Sequence, residues 1–282
     1  MERLMQKLLD PVMSWSGPRR RWLRCSIAGL MAWPLAGDAC CDGDERPSRW
    51  PYEWDAGQFR IHADRDVVAR AEVGHELEQL STDVTQVLQL TIPRSTMHVI
   101  LLSNESEYRR YMQHYFPGLP ERRALFVQQR GKSMLFAHQH PELAIDLRHE
   151  SVHALLNEQA HAVPLWLDEG LAEYFEVPAG DRWRGHSHLA SITELANDDA
   201  WPDLASLESL TDVASMNTER YRDAWAWVHF LLHRHQETRQ FLVNHLQALR
   251  SGAAVPPLSR TVAMHLPQWR ELFTAHFRSL AG

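Results

Sequence analysis

Residues 149–153 read His-Glu-Ser-Val-His and lie in an amphipathic stretch whose opposite face carries leucine and valine side chains. In an α-helix, residues i and i+4 lie one turn apart on the same face, so His149 and His153 can converge on one metal ion. Glu150 is offset from this face and can reach water beside the metal. The five-residue pattern also occurs by chance, so its meaning depends on the sequence around it.

A second block, residues 164–176, reads Pro-Leu-Trp-Leu-Asp-Glu-Gly-Leu-Ala-Glu-Tyr-Phe-Glu. Pro164 can open a new helix after the polar connection at 157–163. Together the two blocks resemble the gluzincin metallopeptidases, in which the Glu of the W-L-x-E-G core is the third zinc ligand. That residue is Glu169 here. It follows His153 more closely than in the zinc aminopeptidases, a spacing that resembles the compact peptidase-MA-like families of secreted bacterial proteins.

The resemblance implies a zinc-dependent peptidase. One Zn²⁺ per chain would be bound by His149, His153 and Glu169, a donor set that suits this ion. Zinc lowers the pKa of a bound water to about 7, and Glu150 would act as the general base for that water. Glu173, one turn after Glu169, is a candidate acceptor for the outer N–H of a ligand histidine, or else a solvated helix carboxylate.

Related enzymes place a Tyr or His on a later helix to stabilise the oxyanion of the reaction. Residues 219–230 are similar to that helix, with Tyr221 as the first candidate and His229 as the second. Because this segment is rich in tryptophan, either side chain could instead belong to the packed core.

Strand 133–137 precedes the active helix, and gluzincin-like enzymes use an edge strand there to pair with an extended peptide. This indicates a peptide or protein substrate. We find no acidic exopeptidase motif near that strand, which favours internal cleavage. The sequence carries no indication of oligomeric state.

Three alternatives are tested against the same residues. A metzincin requires Gly and His at the third and sixth positions after the second histidine, where this chain has Leu156 and Gln159. His161 is a weaker candidate ligand, since loop histidines are more often solvated. A non-catalytic zinc-binding protein of the cell envelope is the alternative function. Glu150 argues against it, because a structural zinc prefers four protein ligands and has no use for a glutamate beside the first histidine. The remaining histidine pairs are interpreted as surface residues: His138, His140, His186 and His188.

Composition narrows the classes further. The chain has 282 residues, 44% of them hydrophobic, which is enough for one large or two small domains. A formal net charge of -7 argues against nucleic-acid binding.

The N-terminus resembles an export signal. A basic cluster at 19–24 precedes an apolar stretch at 25–35 that is too short to cross a bilayer, which needs about 20 residues. We therefore expect cleavage after Ala39, a periplasmic or secreted protein and no transmembrane anchor. Twin-arginine export, lipid attachment at Cys40 and translation from Met13 are the alternatives.

Hydrophobic periodicity predicts strand 59–63, helix 66–90, strand 97–102, helix 104–112, a hairpin of 124–128 with 133–137, and helix 141–157. Further helices are predicted around 204–210, 221–235, 238–249 and 268–280. The expected fold is therefore α+β and zincin-like, with a small mixed sheet, the active helix and a mainly helical C-terminal part. The expected organisation is signal peptide 1–39, linker or arm 40–57, catalytic domain 58–180 and helical subdomain 181–282.

Overall fold

A computed structural model describes residues 50–91, 95–119, 121–129, 132–159, 163–252 and 254–280. Its strands are β1 (Tyr52–Ala56), β2 (Phe59–Ala63), β3 (Met97–Leu102), β4 (Ala124–Gln129) and β5 (Lys132–His138). They form one mixed sheet in the order β1-β2-β3-β5-β4. The three central strands, β2, β3 and β5, are parallel, and each outer strand is antiparallel to its neighbour.

Ten helices lie within the described ranges, most of them C-terminal to the sheet. They are α1 (Arg70–Leu88), α2 (Glu105–Tyr115), α3 (Leu143–Gln159), α4 (Leu165–Glu176), α5 (Leu189–Asn197), α6 (Leu204–Glu208), α7 (Thr218–His233), α8 (Gln236–Arg250), α9 (Leu258–His265) and α10 (Trp269–Arg278). The predicted α+β class, with its mixed sheet and mainly helical C-terminal part, is confirmed.

The predicted order of strand, helix, strand, helix, hairpin and helix is also confirmed. Local signals explain the helix ends. Asn104 caps α2 by accepting a hydrogen bond from the Glu107 N–H at 3.0 Å, and α1 ends where Gln89 adopts a left-handed φ of 51°. Helices α5 and α9 were not predicted.

The segment 40–57 is not entirely a linker or arm, because its described end forms β1. Ala56 pairs with Phe59 across a tight turn, and Gly57 supplies the positive φ of 58° that this turn requires. Two half-buried aromatic side chains, Tyr52 and Trp54, alternate with exposed acidic residues along the strand. This alternation is too short to predict a strand from the sequence alone, and the strand forms by pairing with β2.

The expectation that 133–137 is an edge strand is wrong. β5 is hydrogen-bonded on both sides, to β3 and to β4, and β4 is the outer strand of this half of the sheet. Either strand of a hairpin can lie at the edge of a sheet. The long-range pairing of β5 with β3 decides that β5 is an inner strand and β4 the edge strand.

A continuous apolar cluster extends from Phe59 on β2 to Phe277 on α10 and joins the regions 58–180 and 181–282. Within it, α4 and α7 approach closely at Gly170, where an added Cβ would lie 2.7 Å from the Ala224 carbonyl oxygen. The absence of a side chain at Gly170 therefore sets the separation of two helices that both carry candidate site residues.

None of the helices in the described ranges is both long and apolar enough to cross a membrane. The predicted signal peptide, Cys40, Met13 and His161 lie outside the described residues.

Candidate metal centre

Two histidines of α3 and one glutamate of α4 bring their ligand atoms together. The Nε2 atoms of His149 and His153 lie 3.7 and 3.6 Å, respectively, from Glu169 Oε2. The three side chains are largely buried, and their ligand atoms form one compact group. The residues predicted as ligands are therefore neighbours in space.

The geometry of this group fits a zinc-sized ion. Zinc bonds of about 2.0–2.2 Å at tetrahedral angles place neighbouring ligand atoms roughly 3.4 Å apart, close to the observed separations. Glu169 Oε2 is buried and finds no hydrogen-bond partner among the described residues. Because an unpaired buried carboxylate oxygen is costly, a cation between the three side chains would satisfy it.

A carboxylate holds the outer nitrogen of each histidine. His149 Nδ1 lies 2.9 Å from Glu176 Oε2, and His153 Nδ1 lies 2.7 Å from Asp168 Oδ2. An N–H donated from Nδ1 leaves the Nε2 lone pair free for a metal and fixes the ring orientation. Both rings are thus oriented as metal ligands require.

The expected role of Glu173 is therefore filled by other residues. On a helix, a residue seven positions later points to within about 20° of the same direction. The Glu176 side chain therefore points in nearly the same direction as that of Glu169, more nearly than the Glu173 side chain does. Glu173 instead contacts His188 at 3.2 Å and His186 at 3.6 Å.

The carboxylates determine the electrostatics of the histidines. Burial alone would lower the pKa of His149, but the adjacent carboxylate of Glu169, the hydrogen bond to Glu176 and the negative charge of Glu150 raise it well above the usual value. Burial also opposes protonation of His153, yet Asp168 and Glu169 raise its pKa to about 9. The site thus stabilises positive charge on its two imidazoles, and a divalent cation would compete with those protons.

Two buried arginines hold the C-terminal end of α4, where Glu176 lies. The Nε atoms of Arg148 and Arg182 donate to the carbonyl oxygens of Glu176 and Val177, respectively. These cations also lie at the negative end of the helix dipole. The backbone that carries Glu176 is consequently fixed.

Glu150 lies beside the cluster but is not part of it. Its side chain is 7% exposed, and its Oε2 accepts a hydrogen bond of 2.7 Å from the Phe126 N–H on the outer strand β4. The carboxylate is thus held in a fixed position next to the first metal-ligand candidate in the chain, His149.

Tyr221, at the start of α7, faces the same region. Burial raises the pKa of its hydroxyl, the negative charge of Glu169 raises it further, and Arg122 lowers it through charge and a hydrogen bond. Arg122 also interacts electrostatically with Glu169 and Glu150. Sequence reasoning missed Arg122, because an arginine just before a strand carries no motif.

His229 does not lie in the site. Its side chain is fully buried, with Nδ1 3.0 Å from His276 Nε2 and Nε2 3.2 Å from the Trp183 carbonyl oxygen. Burial lowers its pKa to about 2. Of the two candidate oxyanion donors, only Tyr221 is near the metal ligands.

The interpretation of four other histidines as surface residues is wrong. His138 packs against Tyr108 and His140, and His140 Nε2 lies 3.1 Å from Asp146. His186 and His188 contact carboxylates of α4, among them Glu173. The contact of His138 with Tyr108, and those of His186 and His188 with Glu173, join separate elements of the fold and have no local sequence signature.

A cavity of about 490 Å³ lies between α2 and the segment leading to β4. Its lining includes Tyr108, Met112, Phe116 and Arg122. Arg122 also interacts electrostatically with Tyr221 and Glu169, so one residue that lines the cavity is linked by charge to the cluster.

By its fold and site, the chain is an α+β protein with a buried His/Glu cluster that can hold a metal ion. Residues 144–253 match the model of a family described as protein of unknown function, DUF1570. The matched segment contains the three ligand candidates, Glu150 and Tyr221, and it omits the sheet and Arg122. No curated protein matches the chain.

Proposed function

We propose that the protein is a gluzincin-type zinc peptidase that hydrolyses internal peptide bonds. The observation that carries this proposal is the convergence of His149 Nε2, His153 Nε2 and Glu169 Oε2, with Glu150 beside them. A structural zinc site has no use for a buried carboxylate adjacent to the first ligand.

Zinc, when bound, would polarise the substrate carbonyl and make water acidic enough to lose a proton near neutral pH. Glu150 would take that proton and pass it to the leaving amine. The Phe126 N–H fixes the Glu150 carboxylate by a hydrogen bond to its Oε2, and this side chain is not part of the group of ligand atoms, so it would serve as a base and not as a fourth ligand.

Tyr221 and Arg122 would stabilise the developing oxyanion. The Tyr221 hydroxyl is a neutral donor, because burial and Glu169 raise its pKa. Arg122 supplies a fixed positive charge in a part of the site that is otherwise rich in carboxylates. Donors already in position need not reorganise as charge develops.

The outer strand β4 would bind an extended substrate. The Phe126 N–H points to Glu150 and away from β5. In an antiparallel pair every second residue directs its backbone N–H and C=O away from the partner strand, so Ala124, Phe126 and Gln128 present these groups to the open edge of the sheet. A peptide paired there would pass beside Glu150. This arrangement supports a peptide or protein as substrate.

The test compares the full-length protein with its Glu150→Gln variant for zinc content and for cleavage of a mixed peptide library. We expect one zinc per chain in both proteins and cleavage by the parent alone. Glu194→Gln, an exposed glutamate on α5, is the matched control and should cleave normally.

Two other outcomes would contradict the proposal. If both proteins bind zinc and neither cleaves any peptide, the chain is the non-catalytic zinc-binding protein that the sequence left as an alternative. If neither binds zinc, the ligand assignment is wrong.

The proposal extends to location. The basic and apolar pattern at 19–35 supports export to the periplasm or the medium. N-terminal sequencing of the protein recovered from cell fractions tests this, and a cytosolic protein that retains residues 1–39 would contradict it.

A further inference from the structure

We infer that His186 is a positioning residue for the metal centre: it acts as a neutral N–H donor that holds Glu176 in place to orient His149. This inference rests on the zinc site of the proposed function. It concerns a side chain outside both sequence blocks, in the segment between α4 and α5.

The side chain of His186 is only 2% exposed, and its Nε2 faces two carboxylates. Nε2 lies 3.4 Å from Glu176 Oε1 and 3.6 Å from Glu173 Oε2. These separations are long for hydrogen bonds, and no other partner for this buried atom is found in the described part of the chain. Nε2 therefore points between the two carboxylates without a close hydrogen bond to either of them.

The other ring nitrogen shows which tautomer is present. The backbone N–H of His188 donates to His186 Nδ1 at 3.1 Å, so Nδ1 carries a lone pair and the proton of the neutral ring is on Nε2. A metal bound at Nε2 would require Nδ1 to carry the proton instead. The His186 ring is therefore set up as an N–H donor toward the two carboxylates and not as a metal ligand.

The ring of His186 is held in this orientation by α7. It stacks on the buried Trp225 with ring centroids 4.7 Å apart and an interplanar angle of 20°. Trp225 lies one turn after Tyr221, so a single helix supports both His186 and the proposed oxyanion donor.

Glu176 needs a donor on each of its oxygens. Its Oε2 receives the His149 N–H, while Oε1 faces His186. Burial alone would raise the pKa of Glu176, but the N–H groups of His149 and His186 lower it to about 2. Ligand atoms of Glu173 and Glu176 lie within 4.8 Å of each other, so without His186 the two carboxylates would repel and Glu176 could rotate away from His149.

The test measures zinc affinity of the full-length protein by competition with a chelating dye at fixed pH. His186→Phe keeps a ring on Trp225 but removes the N–H, and we expect about tenfold weaker zinc binding, the lower end of the usual effect for outer partners of metal ligands. His186→Gln places an amide N–H near the original Nε2 and should restore affinity to within about threefold, on the same scale. His188→Phe is the control: it keeps a ring beside His186 and Trp225, removes only the polar contact to Glu173 and should bind zinc normally.

Thermal unfolding of the metal-free variants separates loss of fold from loss of positioning. If His186→Phe is unstable, a double-mutant cycle that combines His186→Asn with Glu176→Ala gives the answer instead, since the shorter Asn side chain no longer reaches Glu176 and its effect must vanish once Glu176 no longer orients His149.

Equal zinc affinity in the parent and His186→Phe, or additive effects in the cycle, would overturn the inference while leaving the peptidase proposal intact. A parent that binds no zinc would refute the proposed function, and with it the premise of this inference.

Discussion

Gly170 provides the sharpest test of how the site is assembled, and we expect Gly170→Ala to reduce both stability and activity. A Cβ at this position would lie 2.7 Å from the Ala224 carbonyl oxygen, 2.9 Å from its carbon and 3.0 Å from Val228 Cγ2. Ordinary contact begins at 3.4 Å, so α7 would have to move by about 0.7 Å relative to α4. The obstacle is backbone, which cannot rotate out of the way.

The magnitude follows from two opposing terms. Overpacking a close contact costs about 1–3 kcal/mol, while replacing glycine by alanine inside a helix returns up to about 1 kcal/mol. We therefore expect a net loss of about 1–2 kcal/mol in the free energy of unfolding, or roughly 2–8 °C in the unfolding midpoint for a chain of this size. Because Tyr221 moves with α7 while Glu169 stays on α4, kcat/KM should fall by about tenfold to a hundredfold.

Thermal unfolding and peptide cleavage by purified variants measure both effects. Gly180→Ala is the matched control: a Cβ there meets nothing within 4 Å in the described structure, and the change should leave the midpoint and kcat/KM unaltered. A Gly170→Ala variant as stable and active as the parent would refute the close approach of α4 and α7.

Two further predictions concern Tyr221 and a buried histidine. Tyr221→Phe should lower kcat by about a hundredfold to a thousandfold with zinc content unchanged, as for loss of one oxyanion donor. Tyr52→Phe on β1 is the control and should behave as the parent. Equal kcat values for the parent and Tyr221→Phe would exclude the role of the Tyr221 hydroxyl. Burial lowers the pKa of His245 to about 4, so below about pH 6.5 the unfolded chain takes up a proton at this position before the folded one does. Its contribution to stability is present above that pH and is lost as pH falls toward 4, at up to about 1.4 kcal/mol per pH unit. Denaturant titrations from pH 7 to 4 should therefore show a shallower loss for His245→Leu than for the parent, and parallel curves would count against this assignment.

Local patterns in the sequence determined most of the helices and most of the strands. Asn104 followed by Glu107 marks the start of α2, and the apolar run at 97–102 marks the buried strand β3. The residues His149, His153 and Glu169 could be singled out because two of them share a helix face and the third lies in a block that resembles a known one. These signals depend on neighbours a few positions away, which the sequence displays directly.

Contacts between distant segments decided the rest. Whether β4 or β5 lies at the edge depends on which strand pairs with β3, and the contact of Glu176 with His149 forms only because α4 packs against α3. Arg122 reaches Tyr221 from a segment about a hundred residues earlier in the chain. No local periodicity records such pairings, because their free energy comes from burial and hydrogen bonding that exist only once the helices and strands have packed together.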